Sequence, residues 1–167
     1  MGVLPTRARD RRGAAAVETA LCICFIVLPL TFATMAYAYM FSFRQSVSQA
    51  TTEGVRAAAV APADTVSATQ QSTNLAAVVG AINAALTNGV SCSLPASPNA
   101  SGAYVGSLLR SGSVVGSCSL SVPVTCSTCK QVALDYDYGA HPLLPLPLLG
   151  FALPDHLSYS ATAEVNQ

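Results

Sequence analysis

A cluster of arginines followed by an uninterrupted apolar run constrains this chain more than any other feature. Residues 7–44 read RARDRRGAAAVETALCICFIVLPLTFATMAYAYMFSFR. Arg7, Arg9, Arg11 and Arg12 precede Gly13, and between residues 14 and 43 the only charged side chain is Glu18. A bilayer's hydrocarbon core, about 30 Å thick, takes roughly 20 helical residues, so the run can span it with residues to spare. Arginines before a span hold that end in the cytoplasm. The reading is therefore a single pass through the cytoplasmic membrane, N-terminus inside, with everything after Arg44 on the far side.

Glu18 is the discordant residue. A carboxylate inside an apolar span costs about 2.5–3.5 kcal/mol on insertion scales. One reading is that Glu18 lies near enough to the cytoplasmic face to reach the head groups. The other starts at Gly13. A cut between Gly13 and Ala14 removes the arginine-rich leader and creates an α-amine four residues before Glu18. Such an amine titrates near pH 8 and is largely cationic at neutral pH. An opposite charge on the same chain or on a neighbour favours the ionised carboxylate and offsets its burial.

The segment RRGAAAVE resembles prepilin-type leader junctions. Taken together, RRGAAAVETAL, then LPL, then QATTEGVRAAAV resemble the TadE-like minor pseudopilins of tight-adherence (Flp, type IVb) pilus systems, with Thr19 where many relatives carry an aromatic residue. The resemblance is strongest over residues 11–60. It implies a pilin-like α+β fold: a long N-terminal transmembrane helix projecting outward, a second helix and a small antiparallel sheet of about three to four strands. It also implies a structural subunit rather than an enzyme, without a cofactor. Its partners would be a prepilin peptidase, other pilin or pseudopilin subunits, and the assembly machinery. By the same resemblance Gly13 and Ala14 flank the leader cleavage, while Glu18 sets registry in assembly and the apolar face around Pro29 packs.

Composition narrows the alternatives. The 167 residues carry no net charge and only 10% are charged, which gives no footing for nucleic acid. Outside the span the chain is rich in Ala, Ser, Thr, Val and Leu, which suits a small folded domain rather than a disordered tail. The expected divisions are a leader (1–13), a transmembrane helix (14–43), its extracytoplasmic continuation (44–62) and an α+β domain (63–167).

Periodicity supplies the rest. Phe43, Val47, Ala50, Gly54, Ala57 and Ala61 recur every three or four residues, so the helix should continue past the membrane with a stripe of mostly small side chains. From residue 14 to 60 it would run about 70 Å at 1.5 Å per residue. Pro29 removes one backbone donor and tends to kink the helix, and the resemblance implies a kink or local melting there on assembly. Gly54 predicts close approach of a packed element, and Glu53 with Arg56 a solvated surface pair. Pro62 ends the helix, and Asp64 or Ser67 can cap a second one with Leu75, Val78, Val79, Ile82 and Leu86 on its apolar face. Asn88-Gly89 stops it in the left-handed region. Residues 91–112 read as loop with a short strand at Tyr104-Val105.

Three later stretches alternate: Cys118 to Cys126, Val132 to Tyr138, and Leu157 to Val165. One-sided alternation predicts an antiparallel sheet with one covered face. Between the last two lies an apolar, proline-rich stretch (142–154), either an interface with a subunit or membrane or a loop completing the core.

Cys92, Cys118, Cys126 and Cys129 fall on the far side of the membrane, where disulfides persist. Two bridges are expected, with three connectivities open. A four-thiolate zinc site, or a redox role for Cys126-Ser-Thr-Cys129, are the alternatives. Cys22 and Cys24 lie inside the apolar run as small packing groups. His141 and His156 flank the apolar loop without a nucleophile and base around them. Asp135 and Asp137 share the polar face of a strand, needing only water. No metal or catalytic site is expected. The rival to a pilus subunit is a secreted or anchored, disulfide-stabilised binding domain released after Ala36-Tyr37-Ala38. Its mature chain would begin at Tyr39.

Overall fold

The computed structural model describes residues 7–60, 68–144 and 153–165. The helix end at Pro62, the cap at Asp64 or Ser67, Ala61 of the small-residue stripe, residues 1–6 of the leader and residues 145–152 of the apolar loop lie outside them. The chain forms two compact units, Met1–Ala38 and Tyr39–Gln167.

The first unit is helical. Helix α1 (Arg7–Cys22) runs into a π-helical turn at Ile23–Val27, and α2 (Leu28–Val60) begins directly after it. Proline at position 29 has no N–H to offer the Phe25 carbonyl, which an α-helix would require. The chain answers by widening the turn just before it: the Leu28 N–H bonds to the Ile23 carbonyl, five residues back. Helical structure therefore passes through Pro29. The Thr19, Thr31 and Thr34 hydroxyls donate to the carbonyls of Ala15, Leu28 and Thr31 at 2.8–2.9 Å. Their polarity is thus met within the helix itself, as an apolar surrounding demands. Gly13–Val60 is long and apolar enough to cross a membrane.

The second unit is an α+β domain. It takes up α2 from Tyr39, helix α3 (Ala68–Ala85) and five strands: β1 (Val90–Ser93), β2 (Tyr104–Arg110), β3 (Ser113–Ser121), β4 (Cys129–Asp137) and β5 (His156–Glu164). Each strand pairs antiparallel with the next, in the order β1-β2-β3-β4-β5. The core gathers Met40, Phe43, Val47 and Ala50 of α2, Val78 and Ile82 of α3, and the inward residues of the strands. Phe43 meets the Tyr136 ring edge-on at 4.8 Å between centroids. Full burial of each such side chain contributes about 1.5–3 kcal/mol. A Cβ on Gly54 would stand 2.6 Å from Ile82 Cγ1 and 3.5 Å from Val132, so glycine lets α2 approach α3 and β4 together. After α3, Asn88 (φ 59°) and Gly89 (φ 70°) turn the chain through the left-handed region into β1.

Three expectations need correction. The sheet has five strands rather than three or four, because residues 91–112, read as mostly loop, supply β1 and β2. A register shift between Leu108 and Leu109 breaks the period of two in β2, and β1 is too short to show one. The strand expected from Cys118 to Cys126 ends at Ser121 instead. Pro123 has no N–H for the ladder, and Val122 and Val124 stand exposed beyond it.

Candidate functional site

The apolar surface of the first unit is the leading candidate, because its large apolar side chains stand exposed. Val17, Leu21, Phe25, Ile26, Leu30, Phe32 and Met35 are exposed, Phe25 to 74% and Leu30 to 63%. A soluble monomer seldom carries a contiguous apolar patch beyond a few hundred Å². The domain meanwhile has a core of its own, in which Phe43, Val47, Tyr136 and Val132 are all fully buried.

Gly13, Ala14 and Glu18 lie on α1, all exposed, and a side chain at Gly13 would touch nothing within 4 Å. Glycine inside a helix costs about 1 kcal/mol relative to alanine, which makes Gly13 a weak point of α1. Pro29 follows the widened turn by two residues. The sequence suggested the proline's effect but not its form, since a π-turn has no signature besides the missing donor. Cys22 and Cys24 are exposed and unbridged.

The four remaining cysteines form two disulfides, Cys92–Cys118 and Cys126–Cys129. The first joins β1 to β3 across β2. Gly106 stands opposite Cys118 on that intervening strand, where a Cβ would fall 1.9 Å from the Ser93 carbonyl oxygen. The second closes a turn between β3 and β4. Among the described residues no cluster of His, Cys, Asp or Glu is suited to a metal ion.

The open face of the sheet carries the other polar constellation. Asp135 stands between Ser117 and Ser158 in the strand register. Its carboxylate accepts a hydrogen bond from the Ser158 hydroxyl and lies 3.0 Å from His156 Nδ1. Asp135 is therefore partnered by protein groups and not by water alone. The Ser158 hydroxyl, and secondarily His156, hold its carboxyl below the usual range. The same contact with Asp135 raises His156 above its ordinary value. The order serine–aspartate–histidine puts the acid in the centre. A nucleophilic serine needs the histidine there, taking its proton, so this arrangement does not activate Ser158. Asp137 accepts the Ala140 N–H at 2.9 Å and closes a turn. Glu53 and Arg56 pair at 3.7 Å on exposed helix surface.

Asn83 was not foreseen. Its side-chain amide bonds both backbone groups of Cys92, accepting the N–H at 2.6 Å and donating to the carbonyl at 3.2 Å. It thereby closes the outer edge of β1 as another strand would. The only sequence signal was a polar residue beside Ile82 on the apolar side of a helix.

The helix that carries these exposed apolar residues, together with the start of the domain, also carries the likeness to known proteins. Residues 13–56 match the family model described as TadE-like protein, the family that RRGAAAVETAL and the Glu-Gly-Val-Arg segment resemble. No curated protein and no solved structure matches the chain.

Proposed function

We propose that this protein is a minor pseudopilin of a tight-adherence, type IV-like pilus. It is a structural subunit without catalysis of its own. The observation that carries this reading is the exposed apolar surface of the segment that matches the TadE-like model, in a chain whose second unit has a core of its own. Such a helix needs an apolar surrounding twice, first lipid and then the helices of neighbouring subunits. In this account the arginines hold the N-terminus in the cytoplasm until a prepilin peptidase cuts between Gly13 and Ala14. The weak helical propensity at Gly13 eases local unwinding for the cut. The new amine then meets Glu18, on its own chain or on a neighbour, and offsets the cost of a carboxylate in an apolar setting. Backbone bonding shifted at Ile23–Val27 keeps the helix intact through Pro29, so that it can slide from lipid into a packed bundle.

The test is the intact mass of the mature protein, recovered from both membrane and released fractions. A chain beginning at Ala14 is expected. One retaining Met1 or beginning at Tyr39 overturns the proposal, the latter in favour of a secreted domain. Glu18→Gln should leave membrane insertion unchanged and reduce pilus assembly at least tenfold, and normal assembly would remove Glu18 from the account.

A further inference from the structure

We propose that Cys126–Cys129 is a thiol–disulfide exchange site, opened by a dithiol reductant while Cys92–Cys118 stays closed. This does not depend on the pilus reading. Both bridges belong to the same domain, yet their surroundings are opposite. Cys92 and Cys118 are 2% and 1% exposed, under the core side chains. Cys126 and Cys129 are half-buried, and Val124, Thr125, Ser127 and Thr128 around them are exposed. Exchange requires a thiolate to approach one sulfur in line with the bond, so access decides which bridge reacts.

The turn is suited to being opened and closed again. It lies between β3 and β4, and its cysteines are three residues apart. The Cys126 N–H donates to the Pro123 carbonyl at 3.1 Å and the Cys129 N–H to the Cys126 carbonyl at 3.3 Å. These bonds do not involve sulfur, so they hold the two cysteines near one another after the bridge is broken. The Thr128 hydroxyl stands 3.4 Å from Cys126 Sγ and can donate to a thiolate there. Cys126 is therefore the better leaving group and Cys129 the sulfur attacked.

The step balances with a dithiol as co-reactant. One thiolate of the dithiol attacks Cys129 Sγ, forming a mixed disulfide as the Cys126–Cys129 bond breaks and Cys126 leaves as a thiolate. The second thiol of the reductant loses its proton and attacks its own partner sulfur in the mixed disulfide. That releases Cys129 as a thiolate and the reductant as a disulfide. Two electrons pass to the protein, and both cysteine thiolates take up protons according to pH. The consequence reaches β5, since the Val165 N–H is held by the Thr128 carbonyl at 2.9 Å and Cys129 is the residue paired with Glu164. Opening the bridge loosens the end of the β4–β5 pair at which β4 begins and β5 finishes.

The test uses the full chain in detergent micelles, with the free Cys22 and Cys24 alkylated beforehand. Folded protein is incubated with excess reduced dithiothreitol for graded times, pulse-alkylated and read by peptide mass spectrometry. Cys126 and Cys129 are expected to be modified together at a rate at least tenfold above that of Cys92 and Cys118, and to be protected again on reoxidation. Thr128→Val should slow opening several-fold without changing the order of the two bridges. Opening of both bridges together, or of Cys126–Cys129 only in denaturant, overturns the proposal. An unchanged rate in Thr128→Val removes the assignment of Cys126 as leaving group.

Discussion

Helix α2 passes from one unit of the molecule into the other, and its sequence hardly changes character at the border. Before Ala38 it carries Leu30, Phe32 and Met35, and these are exposed. After Tyr39 it carries Met40, Phe43 and Val47, and these are buried beneath a sheet. The difference lies in what each stretch has for a partner. The domain brings Val78, Ile82, Val132 and Tyr136 to the second stretch, whereas Leu30, Phe32 and Met35 of the first stay exposed. Apolar residues on a helix thus state a demand for an apolar surrounding without saying whether protein or lipid supplies it.

Substitutions can break this contrast. Phe43→Ala should cost about 3–5 kcal/mol of domain stability, because it empties a site against Tyr136. Phe25→Ala, equally drastic in chemistry, should leave the denaturant midpoint of the domain unmoved. Equal losses from the two would show that the first unit shares the domain's stability.

Next in size are the bridges. In the chain-entropy account, a loop closed over 26 residues stabilises by about 3.5 kcal/mol and one closed over three by about 1.6. Replacing Cys92 and Cys118 by alanine should therefore lower stability more than replacing Cys126 and Cys129, as read by chemical unfolding under oxidising conditions. The reverse order would show that strand geometry outweighs loop length.

Gly54→Val should cost about 1–3 kcal/mol by driving a side chain into Ile82. Gly13→Val touches nothing within the fold and should spare stability entirely while blocking the proposed leader removal, which intact mass reports. A fully stable Gly54→Val would mean that Ile82 shifts aside freely.

The smallest effect is one of pH. His156 is raised by its contact with Asp135, so its contribution is complete below the unfolded value of about 6.5 and disappears as pH rises through the higher folded value. Asp135 is depressed, chiefly by Ser158, so its contribution is present above about 3.9 and is lost as pH falls through the lower folded value. The pair supports the sheet most between those limits. His156→Gln should remove the decline in stability above pH 6.5 and leave the acid limb in place. A decline that persists in the variant would assign it to another group.

Much of this was readable in advance because the signals are local. Val132, Leu134, Tyr136 and Tyr138 alternate in sequence and are all buried in the structure. Val78, Ile82 and Leu86 follow helical spacing and are buried as well. Asn88-Gly89 marked the stop of α3, where both residues have positive φ. What escaped depends on partners distant in the chain. β1 holds only four residues and owes its strand character to β2 and to Asn83, neither of which its own composition announces. Asp135 and His156 are separated by 21 residues and meet only because β4 and β5 pair.

By itself the sequence determined the apolar helix, the place of Gly13 and Glu18 within it, and which faces of α3, β4 and β5 turn inward. Those properties follow from spacing and side-chain chemistry along a few consecutive turns or pleats. Only the tertiary structure decided which cysteines bridge, how the helix carries Pro29, and which carboxylate sits beside a histidine. The pairing choices depend on distances across strands that no local pattern encodes, and the helix on a choice between bonding registers of similar energy.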